Sequence, residues 1–273
     1  MPLLVGTSGW QYPHWRGVFY PKDVPQRLWL EHYATQYATV ENDGTFYRLP
    51  ARETFADWQS RTPREFVMAV KASRYLTHVK RLRDPAEPVE RLMQAAAGLG
   101  SQLGPVLLQL PPNLQSDPAR LDACLAAFAA SWPGGSAGLA AETPPAAGGG
   151  PMVAVEPRHQ SWFTDETRQI LARRGAALCW ADQLGRPATP LWRTAGWGYL
   201  RLHQGAARPW PRYGARALRS WLDRLAATWP DDAPVYVYFN NDQNGAAIAD
   251  SAAFAALARR LNRQVSRTPE DPS

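Results

Sequence analysis

YLRLH, residues 199–203, sets Arg201 and His203 on one face of an extended strand and Leu200 and Leu202 on the other. Other apolar runs in the chain end the same way, on a polar or charged residue. Glu41 follows TV, Lys71 closes FVMAVK (66–71), and Gln109 lies inside GPVLLQLP (104–111). Glu156 closes MVAVE (152–156), Asp182 closes ALCWAD (177–182), and Asn240, Asn241 and Asp242 close VYVYFNND (235–242). A strand that only builds core has no use for charge at its C-terminal end, because an unpaired buried charge costs several kcal/mol. Repeated around a closed sheet, the pattern describes a polar ring at one mouth of a barrel, the place where (β/α)8 enzymes keep their chemistry.

The spacing of the runs supports that architecture. Strand-like segments fall at 3–9, 39–46, 66–72, 105–110, 152–156, 176–182, 198–203 and 235–241. Amphipathic helical stretches lie between most of them, at 27–37, 53–61, 87–100, 118–130, 165–175, 215–229 and 246–261. Regular β–α alternation implies a parallel sheet, and eight strands imply closure into a TIM-type barrel. The segment QLGRPATPLWRTAGW (183–197) is too short and too rich in Pro and Gly for a full helix, so the sixth crossover is expected to be irregular. A single α/β domain is expected over 1–265, with a flexible Gly/Pro/Ala insertion at 133–151 on the face opposite the mouth and a disordered tail at 266–273.

At 273 residues the chain can bury one large core, and its 45% apolar content is ordinary for a globular protein. The net charge of +6 tilts it mildly toward anionic partners. Of 30 cations only three are lysines, Lys22, Lys71 and Lys80. The two cysteines, Cys124 and Cys179, offer neither a disulfide framework nor metal-ligand spacing, which suits a reducing compartment. The opening MPLLVGTSGW enters a strand without a basic n-region, and no run of 18 apolar residues exists. A cytoplasmic protein without a membrane partner is expected.

Five blocks carry a resemblance: GTSGWQYPHWRGVFYP (6–21), TFYRLP (45–50), VAVEPRHQSWF (153–163), YLRLH and YVYFNND (236–242). Together they resemble the YecE-like family, a domain-of-unknown-function family, from the first strand to the last. The resemblance implies a TIM-type barrel and supplies no established reaction. Glu41, Asp43, Thr45, Tyr47, Glu156, Arg158 and His159 match the family pattern. Asn42 stands where the pattern has an aliphatic residue, and Pro157 and Gln160 are further departures, which bear on local strand geometry.

Several chemistries compete for the ring. Glu41 and Glu156, from different strands facing one cavity, form the best acid–base pair, with His203 as a second proton-transfer group and Asp182 beside it. The plainer alternative is that the two glutamates pair with Arg158 or Arg201 and hold the barrel together. Lys71 offers base or Schiff-base chemistry that an arginine cannot, or else a counter-ion for Glu41. Arg158, His159, Arg201, His203, Lys71 and Arg74 form a cationic collar suited to phosphate or carboxylate, with Asp43, Tyr47, Gln109, Asn240 and Asn241 placed to orient a ligand. Trp10 and Trp15 follow the first strand and either stack on a ligand or roof the barrel.

The leading expectation is an enzyme performing acid–base chemistry on a small anionic, phosphorylated substrate, with hydrolysis ahead of isomerisation or elimination. No cofactor is expected, although Glu156, Asp182, His203 and Asp242 close successive strands and would make a divalent-metal set. A nucleic-acid-binding or processing protein is the alternative from another class, motivated by the basic charge and the tryptophans. The loop HQGAARPWPRYGAR (203–216) is expected to act as a mobile, positively charged lid hinged at Gly205 and Gly214. The sequence leaves the oligomeric state open.

Overall fold

The computed structural model describes residues 3–132 and 151–270. Within them the strands are β1 (Leu3–Thr7), β2 (Thr39–Asn42), β3 (Val67–Lys71), β4 (Leu103–Gln109), β5 (Val153–Glu156), β6 (Ala177–Leu178), β7 (Trp180–Gln183), β8 (Arg186–Pro187), β9 (Gly198–Leu202) and β10 (Val235–Phe239). One parallel run orders β2-β3-β4-β5-β6, and the other orders β1-β10-β9-β7, with β8 added antiparallel to β7. β6 and β7 are consecutive pieces of one stave, joined at Cys179, whose N–H bonds to the Val155 carbonyl at 2.8 Å. The other seam, between β1 and β2, is closed by the Ser8–Glu41 bridge and a 2.7 Å bond from the Gly9 N–H to the Glu41 carbonyl. The result is an α/β barrel of the TIM type.

Gly6 shows how tightly that seam is drawn. A Cβ there would lie 2.4 Å from the Thr39 carbonyl oxygen, so glycine is the residue that lets β1 approach β2.

The helices are α1 (Trp29–Gln36), α2 (Gly44–Tyr47), α3 (Arg52–Ser60), α4 (Ala86–Ala96), α5 (Pro118–Ala130), α6 (Asp165–Arg173), α7 (Ala215–Thr228) and α8 (Ala246–Arg260). The larger ones pack on the outside of the sheet along apolar stripes. In α7 the stripe is Leu218, Trp221, Leu222 and Leu225, the i, i+3, i+4, i+7 spacing of one buried face. α5 starts where Asp117 accepts the Arg120 N–H and Pro118 takes the first helical position; α6 starts where Thr164 caps the Thr167 N–H.

The barrel interior is layered. Ala69, Ala154 and Ala177 line one side at mid-height, and Tyr199, Tyr236 and Tyr238 fill the space from the other. Small residues facing large ones let a closed barrel pack without a channel. Above this layer, at the C-terminal ends, come the polar residues that the strand pattern singled out.

Two local expectations are corrected and a third holds. The second strand stops at Asn42 rather than 46, because the Asn42 side chain accepts the Gly44 N–H at 3.0 Å and Thr45 donates to the Asn42 and Lys71 carbonyls. The sixth crossover is irregular, as expected, and forms the short β7–β8 hairpin. The segment expected to be disordered from 266 is tied down at its start: the Ser266 N–H bonds to Leu3, the Arg267 carbonyl accepts from Ala38, and its guanidinium pairs with Glu65. The insertion expected at 133–151 lies, apart from residue 151, outside the described residues, as do 271–273. No helix among the described residues is long and apolar enough to cross a membrane.

Candidate functional site

Arg201 is the centre of the polar layer. Its side chain is fully buried, and alternation along β9 points it inward together with Tyr199 and His203. Its Nε and Nη2 donate to Glu41 Oε1 at 3.0 and 2.8 Å, and its Nη1 donates to Glu156 Oε2 at 2.7 Å. Asp43 Oδ2 lies 3.5 Å from Nη2. The second Glu41 oxygen accepts the Tyr199 hydroxyl at 2.6 Å. Glu41 is therefore sealed and saturated, and the pairing with Glu156 as acid and base gives way to the plainer reading: Glu41 holds Arg201. Tyr199 was missed in the sequence, although it shares the inward parity of Arg201 and His203.

Glu156 is buried but stands one layer nearer the opening. Gln109 Nε2 donates to its Oε2 at 2.9 Å, and His203 Nε2 lies 3.0 Å from its Oε1. Burial pushes this carboxyl upward, but the Arg201 guanidinium and His203 outweigh burial and hold it well below the usual carboxylate range. It is a fixed anion and no general acid. The other edge of the imidazole, Nδ1, faces Asn240 Nδ2 at 3.1 Å. With the amide donating to Nδ1, the ring carries its proton on Nε2, toward Glu156.

Above this dyad lies a cavity of about 340 Å³. Glu156, Arg158, Phe163, Asp182, Thr189 and His203 are among its walls. Arg158 is exposed on the rim, and its guanidinium has no carboxylate partner among the described residues. Across the mouth, Lys71 Nζ lies 3.2 Å from Asp43 Oδ1 and 4.7 Å from the centre of the Phe46 ring. Lys71 thus pairs with Asp43, not with Glu41. His78 stands nearby; burial first, then Arg74, Lys71 and Arg158, lower its pKa, which marks that side of the mouth as positively charged.

Other residues singled out by the sequence serve structure. Asp182 accepts the His203, Gln204 and Gly185 N–H groups and the Tyr213 hydroxyl; although it lines the cavity, its oxygens are occupied, and burial raises its pKa. Asn241 is buried and donates to Asp250 and the Pro211 carbonyl, away from any ligand. His159 caps the turn at 160–162 through Ser161. Trp10 and Trp15 are buried roof residues: Trp10 packs edge-on to Trp58, and Trp15 Nε1 donates to Asp242 at 2.6 Å. Tyr47 is 81% exposed and stands outside the cavity.

The loop at 203–216 is braced. Arg212 pairs with Asp250 at 2.6 Å, Tyr213 is held by Asp250 and Asp182, and the Gly205 N–H bonds to the Pro211 carbonyl. A Cβ at Gly205 would strike the Arg212 carbonyl, so this glycine serves a close approach and is no hinge. Trp210 at the tip is half exposed and does not pin the loop either.

The residues present do not fit a divalent metal. Asp242 turns away to Trp15 and His14, Asp182 is filled by N–H and O–H donors, and Glu156 is bonded to a buried guanidinium that would repel a cation. Among the described residues no three His, Cys, Asp or Glu side chains are placed to hold a metal ion.

Fold and site together define a TIM-type barrel with a charged, partly sealed C-terminal mouth. The chain belongs to the family described as protein of unknown function DUF72, whose model matches residues 4–273. It is similar to the UPF0759 protein YunF of Bacillus subtilis (strain 168), with 24% identity over 89% of this chain and 90% of that protein. A DUF72 family protein from Thermotoga maritima MSB8 superposes with a TM-score of 0.71 at 24% identity, over 95% of this chain and 100% of the other. A D-psicose 3-epimerase shares the barrel at a TM-score of 0.53 and 12% identity, over 96% and 99% of the two chains, a likeness of fold alone.

Proposed function

We propose that the protein is an enzyme performing acid–base chemistry on a small anionic, phosphorylated substrate bound in the mouth of the barrel. The observation that carries this reading is the cavity in which the His203–Glu156 dyad and the unpaired Arg158 face the same space. His203 accepts a proton at Nδ1, where Asn240 yields to the substrate, and Glu156 stabilises the resulting imidazolium from the far edge. Gln109 and Arg201 orient Glu156, while Arg158 meets the substrate's negative charge with a fork of donors suited to phosphate. Hydrolysis, with His203 activating water, is the reaction to test first; isomerisation or elimination would draw on the Asp43–Lys71 pair across the mouth.

The experiment is a screen of phosphorylated sugars and nucleotides with wild type, His203→Asn and Arg158→Ala, followed by phosphorus NMR. The expected result is turnover of at least one compound, a loss of about 10²-fold or more in kcat for His203→Asn, and a raised KM for Arg158→Ala. Equal turnover by wild type and His203→Asn, or none by either, removes the assignment.

A further inference from the structure

Large exposed apolar residues gather on the mouth face. Val18, Tyr47, Tyr75, Val79, Leu184 and Trp210 all stand in the segments, short helical turns included, that follow the C-terminal ends of strands. Tyr47 and Tyr75 belong to the adjacent loops after β2 and β3. Tyr47 is 81% exposed, yet its ring is braced edge-on by Phe46 at 5.0 Å, and Phe46 in turn meets His78 at 5.0 Å. An exposed ring held in place by another ring, with a second exposed tyrosine on the neighbouring segment, offers stacking surface that the free protein leaves uncovered.

The charge around the platform is equally one-sided. The loop at 72–85 carries Arg74, Lys80, Arg81 and Arg83 against Asp84 alone, and the loop at 203–214 carries Arg208 and Arg212 with no acidic residue. Arg74, next to Tyr75, and Arg158, on the cavity rim, have no carboxylate partner among the described residues. Arg74, Lys71 and Arg158 all act electrostatically on His78, so positive charge from the β3 and β5 loops falls on one side of the mouth.

We infer that the phosphate taken by the mouth belongs to a single-stranded nucleic acid, with bases stacking on Tyr47 and Tyr75, the backbone crossing Arg74, and a terminal phosphate reaching Arg158 and the cavity. This rests on the anion-binding reading of the cavity and names its substrate class. Stacking platforms interleaved with cations suit unpaired bases, whose faces are free; a duplex hides them.

The test uses fluorescence anisotropy with a 3′-fluorescein-labelled, 5′-phosphorylated oligothymidylate of about 12 nucleotides, a site size of the kind such platforms cover. The same protein is titrated calorimetrically with inorganic phosphate. The oligonucleotide is expected to bind more tightly than phosphate and to weaken by about tenfold or more between low and physiological salt. Tyr47→Ala and Tyr75→Ala should each weaken it by about fivefold or more at either salt, while Tyr→Phe at the same positions restores it and phosphate binding stays unchanged. Both tyrosines are exposed, so circular dichroism should show the variants folded. Phosphate binding without oligonucleotide binding, equal affinity for duplex, or alanine variants that bind as wild type would each overturn this inference and leave the proposed function standing. Co-sedimentation with phosphatidylserine vesicles in the absence of oligonucleotide binding would overturn it in favour of a membrane surface. Binding of neither phosphate nor oligonucleotide would remove both readings.

Discussion

Replacing Arg201 with methionine should cost as much stability as the largest single apolar truncations in the lumen. Arg201 is fully buried and neutralises Glu41 and Glu156, which are 0% and 1% exposed at their side chains. Methionine keeps much of the volume but leaves both carboxylates without a counter-charge, and breaking a buried ion pair from one side costs ~3–5 kcal/mol. Against a typical domain stability of ~5–15 kcal/mol, that is a large fraction. At roughly 2–4 °C per kcal/mol for a chain of this size, the melting temperature should fall by roughly 6–20 °C.

The pH dependence gives the sharper check. In the wild type the folded-state pKa of Glu156 lies below its unfolded value, so its stabilising contribution is fully present above the unfolded pKa and is lost only as pH falls toward the folded one. Without Arg201 burial dominates, the folded pKa rises above the unfolded value, and the variant should regain stability as pH falls from 7 toward 5. Urea denaturation of both proteins at the two pH values measures this. Glu41→Gln combined with Arg201→Met should recover part of the loss, since one stranded charge is gone. A variant that loses less than about 1 kcal/mol, or whose deficit is the same at both pH values, would refute the account of Arg201 as the neutralising centre.

Asp242 carries a pKa raised to about 6, chiefly by burial and against the hydrogen bonds from Trp15 and His14. Between its unfolded value and about 6 the folded protein holds the extra proton, so stability falls as pH rises through that window; Asp242→Asn should raise the melting temperature by a few degrees at pH 8 and little at pH 4.5. Gly6→Ala should destabilise by ~1–3 kcal/mol through the 2.4 Å approach to the Thr39 carbonyl, read as a shift in urea midpoint at unchanged m-value. Tyr213→Phe removes a donor to Asp182; amide exchange across 203–214 should speed up by roughly fivefold, corresponding to ~1 kcal/mol, and unchanged exchange would show the loop is braced by Asp250 alone.

The barrel was legible because its signals are periodic. Apolar runs ending on a polar or charged residue gave seven of the eight staves, and α5 lies where its pattern places it, at Pro118–Ala130, between a capping Asp and its last alanine. Strand ends also gave the membership of the polar layer: Glu41, Lys71, Gln109, Glu156 and Arg201 all point into the lumen. What the sequence could not give was who pairs with whom. Arg201 reaches Glu41 from 160 positions away in sequence, and Asp182 is claimed by Tyr213 from the next loop. Such pairings depend on side-chain reach across a closed ring, which strand parity leaves open. Trp10 and Trp15 were equally ambiguous, since a ring over the mouth and a ring under the roof share the same sequence position.

The pairing has a consequence for the chemistry. The buried layer holds three carboxylates, Glu41, Asp43 and Glu156, against two fixed cations, Arg201 and Lys71. These five groups therefore carry one negative charge beyond their two cations, and His203 Nε2 lies 3.0 Å from one of them, Glu156. An anionic substrate meets an unfavourable field from the layer itself and needs cations outside it. Arg158 and Arg74 occupy that outer position without a carboxylate partner among the described residues, where they can meet a negative charge at the rim. On the proposed function, inner anion and outer cation would act on different atoms of one ligand: the rim would hold its charge, and the dyad would take its proton.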